Sequence, residues 1–237
     1  MSQPVAERSW GPLSPIERRV LGVLIEKQKT TPDSYPMTVN AVTTACNQKS
    51  NRDPLTAYDA ADVEDALLEL RKKGAAVLVD AGGRVLRWKH QAYDWLGLKG
   101  RPTEMAILAE LLLRGPQTEG ELRQRASRMD LIPDLATLQT MVAYLNELGL
   151  VVYLTPPGQK RGVVVCHGLY PPDELERLRE QASHAALREP GDFSPVPSEL
   201  PELRSEIAQL RDDLDQLRAQ LSALSTAFED LKRSLGA

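Results

Sequence analysis

Few residues of this 237-residue chain could do covalent chemistry, and their spacing decides among them. Cys46 with His90 or His167 as base has the residue types of a thiol nucleophile, but nothing in the sequence places them together, and a buried thiol is the plainer reading. The histidines at 90, 167 and 184 show no metal-ligand spacing. Cys46 and Cys166 form neither a disulfide framework nor a paired CxxC zinc site. Gly82-Gly83 lacks the following Gly-Lys-Ser/Thr of a phosphate loop. The expectation is therefore a non-enzyme without metal or cofactor. Recognition chemistry is better represented. In "ACNQKSNRDP" (45–54), Asn47, Gln48, Lys49, Asn51 and Arg52 offer donors to a phosphate, a base edge or a partner protein. Arg84, Arg123, Arg125, Arg128, Lys160 and Arg161 are further cations able to grip phosphates. The structural alternative stands beside this: Asn, Ser and Asp hold irregular turns through backbone amides, Pro54 biases Asp53 away from helix, and Glu121 with Arg125 at i,i+4 form a helix-surface pair.

The elements that must position these residues come in two copies. In "LSPIERRVLGVLIEK", Ser14 caps a helix, Pro15 takes its first position and Glu17 closes a capping box. Thr38 caps a short second helix, and "DAADVEDALLELRKKG" gives a third that stops at Gly74. "AAVLVDAGGRVLRW" then reads as a hairpin turning at Gly82-Gly83. The order repeats: "RPTEMAILAELLLRG", a second capping box at Thr118 and Glu121, "DLATLQTMVAYLNELG", and the hairpin "LVVYLTPPGQKRGVVVCHGLY". Three helices and a hairpin, twice, predict a mainly α fold of two tandem winged-helix domains, at 13–98 and 99–172, after an N-terminal tail over 1–12. Gly74 and Gly149 lie 75 residues apart and Glu17 and Glu104 lie 87 apart, so the first copy is longer by 12, in the region of "SYPMT" and "NQKSNRDP".

Residues 173–199 read as a helical and Pro-rich linker. Over 200–235, Leu200, Ile207, Leu214, Leu221, Phe228 and Leu235 make one heptad series and Leu203, Leu210, Leu217, Leu224 and Leu231 the other. A parallel coiled coil would pair Glu206 with Arg211 and Asp213 with Arg218 across the seam and make the protein a homodimer, with higher oligomers left open. The net charge of −4 is uneven. Residues 1–100 carry 14 basic and 12 acidic side chains, 101–172 carry 7 and 7, and 173–237 carry 8 and 14. The low pI therefore leaves nucleic acid open as a partner of the first two thirds. No apolar run could span a bilayer and "MSQPVAERSW" is unlike a signal peptide, so the sequence predicts a cytoplasmic protein without membrane insertion.

Across "YPMTVNAVTTACNQKSNRDP" and "LLLRGPQTEGELRQRASRM" the chain resembles the YceH-like family of bacterial proteins, over about residues 13–170. The resemblance implies two winged-helix domains and carries over no catalytic residue. The first functional expectation is a dimeric DNA-binding or transcription-associated regulator. The alternative is a protein-interaction scaffold of the kind found in bacterial chromosome-segregation complexes. Asp59, Asp62, Glu64 and Asp65 on the first third helix, and the lack of Lys or Arg on the second, favour the scaffold; the flanking cations favour double-stranded DNA.

Overall fold

A computed structural model describes residues 10–80, 86–157 and 162–187. Helix α1 (Pro15–Thr30) starts where the sequence places it: the Ser14 hydroxyl accepts from the Glu17 amide, and the Glu17 carboxylate accepts from the Ser14 amide at 2.7 Å. A 3₁₀ turn (Pro32–Ser34) leads to α2 (Val39–Cys46), capped by Thr38, and α3 (Ala60–Lys72) is capped by Asp59 in a reciprocal box with Asp62. Strands β1 (Ala76–Val79) and β2 (Arg87–His90) pair antiparallel, Ala76 opposite His90, and a one-turn helix α4 (Ala92–Trp95) follows.

The second half runs α5 (Pro102–Arg114), β3 (Gln117–Thr118), α6 (Glu119–Ala126), α7 (Leu135–Glu147), β4 (Val151–Tyr153) and β5 (Val164–His167), ending in α8 (Pro172–Leu187). The second capping box is present, with the Thr118 hydroxyl accepting from the Glu121 amide. β5 lies between β3 and β4 in an antiparallel sheet. The described chain is thus mainly helical with two small antiparallel sheets. The sequence-derived excess of the first half divides among three places. α1 is 16 residues against 13 for α5, segment 31–38 stands where 115–118 does, and 47–59 stands where 127–134 does.

The halves do not fold around separate cores. Buried residues from Leu13 to Leu169 form one continuous cluster, centred where α1 crosses α5. Gly22 permits that approach: a Cβ there would stand 3.0 Å from Leu113 Cγ and 3.1 Å from Leu112 Cβ, closer than packed side chains tolerate. Backbone bonds also cross the seam, from the Asp53 amide to the Leu113 carbonyl (3.1 Å) and from the Leu13 amide to the Leu169 carbonyl (2.9 Å). The Gly82-Gly83 turn, Arg84, the Lys160-Arg161 pair, most of the Pro-rich linker and the heptads of 200–235 lie outside the described residues. Among the described residues no helix is long and apolar enough to cross a membrane.

Candidate functional site

Segment 47–59 is a tied turn. Asn47 Oδ1 accepts from the Tyr58 amide (3.0 Å) and the Thr56 hydroxyl (3.2 Å), while its Nδ2 donates to the Tyr58 carbonyl (2.7 Å), so one side chain closes the loop before α3. Asn51 takes φ of 57°, in the left-handed region that Asn tolerates. Gln48 accepts from the Arg52 guanidinium at 3.1 Å. Lys49 is exposed, with no partner among the described residues.

Arg52 departs furthest from its expected role. It is only 4% exposed and enters the seam, where its Nη atoms meet the Glu26 carboxylate at 3.2 and 2.6 Å. Its other N–H groups go to the Ala45 carbonyl (3.0 Å), the Asn51 carbonyl (2.8 Å) and Gln48. All five guanidinium donors are used internally, so Arg52 is not a surface contact; the expectation that it faces DNA or a partner is corrected by its burial.

Glu26 also takes a second cation. Arg128, in the turn just after α6, bridges Glu26 (2.6 Å) and Glu110 of α5 (3.0 Å). Arg114 Nε stands 3.2 Å from Glu110 Oε1, near enough for charge attraction yet not aligned as a hydrogen bond. Two carboxylates almost fully removed from water are thus held by three guanidiniums drawn from both halves. Burial alone would push the Glu26 carboxyl up, but the hydrogen bonds and charges of Arg52 and Arg128 outweigh it and hold the group below the ordinary carboxylate range. Neither the short loop around Arg52 nor the distant Arg128 shows this shared destination in sequence; two glutamates on the apolar faces of α1 and α5 were the available signal.

Two more of the expected cations, Arg123 and Arg125, are also engaged. Arg125 donates to Gln117 (2.7 Å) and Glu121 (3.2 Å), the latter being the expected i,i+4 surface pair. Arg123 reaches the carbonyls of Ile132 and Pro133, at 3.5 and 3.4 Å. The outward face of α3 carries Asp62, Glu64, Asp65 and Glu69, with Leu68 40% exposed among them. The outward face of α7 is uncharged along most of its length: Leu135, Ala136, Gln139, Thr140 and Ala143. Gln139 is itself bound to Glu119 at 2.8 Å.

The thiol alternative finds no geometry. Cys46 is fully buried and its thiol is pushed up to about 12 by burial, away from the thiolate a nucleophile requires. His90 accepts at Nδ1 from the Ala92 amide (3.2 Å) and pairs through Nε2 with Gln28 (2.7 Å). His167 accepts at Nδ1 from the Leu169 amide (3.2 Å) and stacks on Tyr170. Both are buried, and burial lowers the basicity of both, to about 4 for His90.

Comparison with other proteins gives a consistent result. The profile of a family described as "Protein of unknown function, DUF480" matches residues 13–159. A UPF0502 protein of Rhodopirellula baltica is 48% identical over 192 residues, spanning 78% of this chain and 79% of that one. A UPF0502 protein of Geotalea uraniireducens is 50% identical over 145 residues (61% and 63% of the two chains). One of Geobacter sulfurreducens is 51% identical over 135 residues (57% and 61%). The latter two matches span less than two thirds of those relatives.

Proposed function

We propose, for a chain that belongs to the DUF480 family of bacterial proteins, a non-enzymatic protein-interaction module built of two winged helices fused back to back. The element order of each half, three helices and an antiparallel hairpin, supports the winged-helix reading. One observation carries the choice of partner: Arg52, Arg125 and Arg128, cations that a phosphate-led interface would use, are bound to carboxylates and amides of the chain itself, while the α3 face is acidic. Such a face repels DNA and complements a basic protein surface. The heptads of 200–235 support a homodimer that presents two such modules.

DNA binding is the second reading, favoured by exposed Lys49 beside the α2–α3 turn and by the cations placed by sequence in the two hairpins. Titration of the full chain with random duplex DNA at low and at moderate salt separates the two. The scaffold reading expects no salt-sensitive binding. Binding that weakens steeply with salt overturns it and restores the DNA regulator, in which case Lys49→Ala should lower the salt slope by about one unit. If DNA is absent, reversing Asp62, Glu64 and Asp65 to Lys should abolish cross-linking of the protein to its partners in cells; unaltered cross-links would remove α3 from the interface.

A further inference from the structure

A cleft of about 490 Å³ opens at the seam, between α1 and the 53–58 turn on one side and the end of α5 with the segment before α8 on the other. That volume lies in the range of small-molecule sites, ~300–1,000 Å³. From the residues that line it, we infer that the cleft binds a small organic anion, a carboxylate or a phosphate monoester with an apolar body.

The argument starts from Arg19, which is 4% exposed and lines the cleft. It donates to three neutral oxygens, the carbonyls of Cys46 (3.0 Å) and Pro54 (2.7 Å) and the Thr56 hydroxyl (3.4 Å). Its Nε has no hydrogen-bond partner, and no carboxylate forms an ion pair with it among the described residues. The contrast with Arg52 is direct, since that guanidinium uses every donor and carries a counter-ion. Hydrogen bonds to neutral oxygens offset only part of the desolvation of a buried cation, and an arriving anion relieves the rest.

The other cations of the lining already have carboxylate partners. Arg18 is held by both Glu174 oxygens (2.9 and 2.7 Å) and lies over the Tyr170 ring at 4.4 Å. Arg114 stands against Glu110, and Asp53, the remaining carboxylate of the lining, is exposed to solvent and makes no ion pair with Arg19. Arg19 is therefore the buried cation of the wall that lacks an ion-pair partner among the described residues. Two phenols complete the site. Tyr58 and Tyr170 line the cleft, and their hydroxyls make no hydrogen bond among the described residues, leaving two groups that can donate to an oxyanion. Leu112, Pro54 and Pro116 supply apolar wall for the rest of such a molecule. The site is inside the seam, so it is independent of which macromolecule meets α3 and α7.

Calorimetric titration of the full chain with phenyl phosphate and with benzoate tests the inference, with benzyl alcohol as the neutral control. One of the anions should bind saturably at one site per chain with Kd of ~0.1–1 mM, and the tighter of the two identifies the acid group the site prefers. The alcohol should show no saturable uptake. Replacing Tyr58 and Tyr170 together by Phe removes two hydroxyls that hold nothing in the fold; it should weaken the anion roughly three- to tenfold while leaving the melting of the free chain in place. Arg19→Gln should abolish binding, and if that variant does not fold, the tyrosine pair decides. Absence of saturable binding by either anion up to ~10 mM, equal binding of the alcohol, or binding unchanged by the tyrosine pair overturns the inference.

Discussion

The two halves share the turn chemistry that carries each third helix into its hairpin and differ in the connection that leads to that helix. At the first place the match is close. The Gly74 and Gly149 amides bond to the carbonyls of Arg71 (3.0 Å) and Asn146 (2.9 Å), and the next amides, Ala75 and Leu150, bond to Leu70 (2.8 Å) and Leu145 (2.9 Å). Each second strand then ends in a buried histidine whose Nδ1 takes the amide two residues on. At the second place, 127–134 is a compact turn, whereas 47–59 sends Arg52 inward to the same Glu26 that Arg128 of the other half reaches. The longer connection at 47–59 helps to join the two halves.

Breaking the join should have the largest effect. Glu26→Ala leaves Arg52 buried without its carboxylate and should cost about 3–5 kcal/mol, a large fraction of a domain's ordinary stability. Urea denaturation of the full chain measures this, and a loss below about 1 kcal/mol would mean that water or repacking satisfies Arg52 in its place.

The shared histidines offer the next test. Unfolded His90 takes a proton near pH 6.5, whereas the folded side chain does so only at about 4, because burial disfavours its charge. Stability is therefore fully present above pH 6.5 and falls as pH is lowered through this window, by about 3 kcal/mol near pH 4. His167, lowered in the same sense, adds to the slope. Glu26 adds its loss only at lower pH, below the ordinary carboxylate value of 4.5, where its own carboxyl takes a proton. Urea midpoints across this range should slope upward with pH, and His90→Gln should flatten the slope; a slope untouched by that change would place the titration elsewhere.

Two glycines sharpen the contrast between seam and surface. Gly22→Leu should destabilise by about 1–3 kcal/mol through overpacking against Leu112 and Leu113, although leucine is the better helix former. Gly120 in α6 has open space where a Cβ would stand, so Gly120→Ala should be neutral or stabilising by up to ~1 kcal/mol. Thermal melts that rank the two variants in the opposite order would refute the close crossing. The smallest expected change is at the second capping box, where Thr118→Ala should lower stability by about 1 kcal/mol. An unchanged melt there would show that Glu121 supports the helix start by itself.

Local features were legible in the sequence wherever local physics decides them. Ser14 with Glu17, Thr38, Thr118 with Glu121, and Gly74 each mark an element boundary through bonds to the neighbouring backbone, so spacing alone locates them. The turn reading of 45–54 followed from the same chemistry, and Asn47 bears it out. The destinations of Arg52 and Arg128 were not legible. Both pair with carboxylates 18 or more residues away, on helices whose crossing is set by Gly22 and the leucines of α5. A charge in sequence looks the same whether it faces solvent or a buried glutamate. The cleft escaped for the same reason, since Arg19, Tyr58 and Tyr170 lie far apart along the chain and are assembled only by the packing of the halves.

The bond between the Leu13 amide and the Leu169 carbonyl, reinforced by Arg18 and Glu174, has a mechanical consequence. It ties the segment leading into α1 to the segment leading into α8, so the path from residue 13 to residue 169 closes on itself like a buckled belt. Tension applied across those two points loads the buckle before it reaches the Glu26 ion pairs or the crossing of α1 with α5. Stretching therefore opens the rim first, and the rim borders the Arg19 cleft. A pull on the chain from outside 13–170 would be felt there while the interior of both halves is still intact.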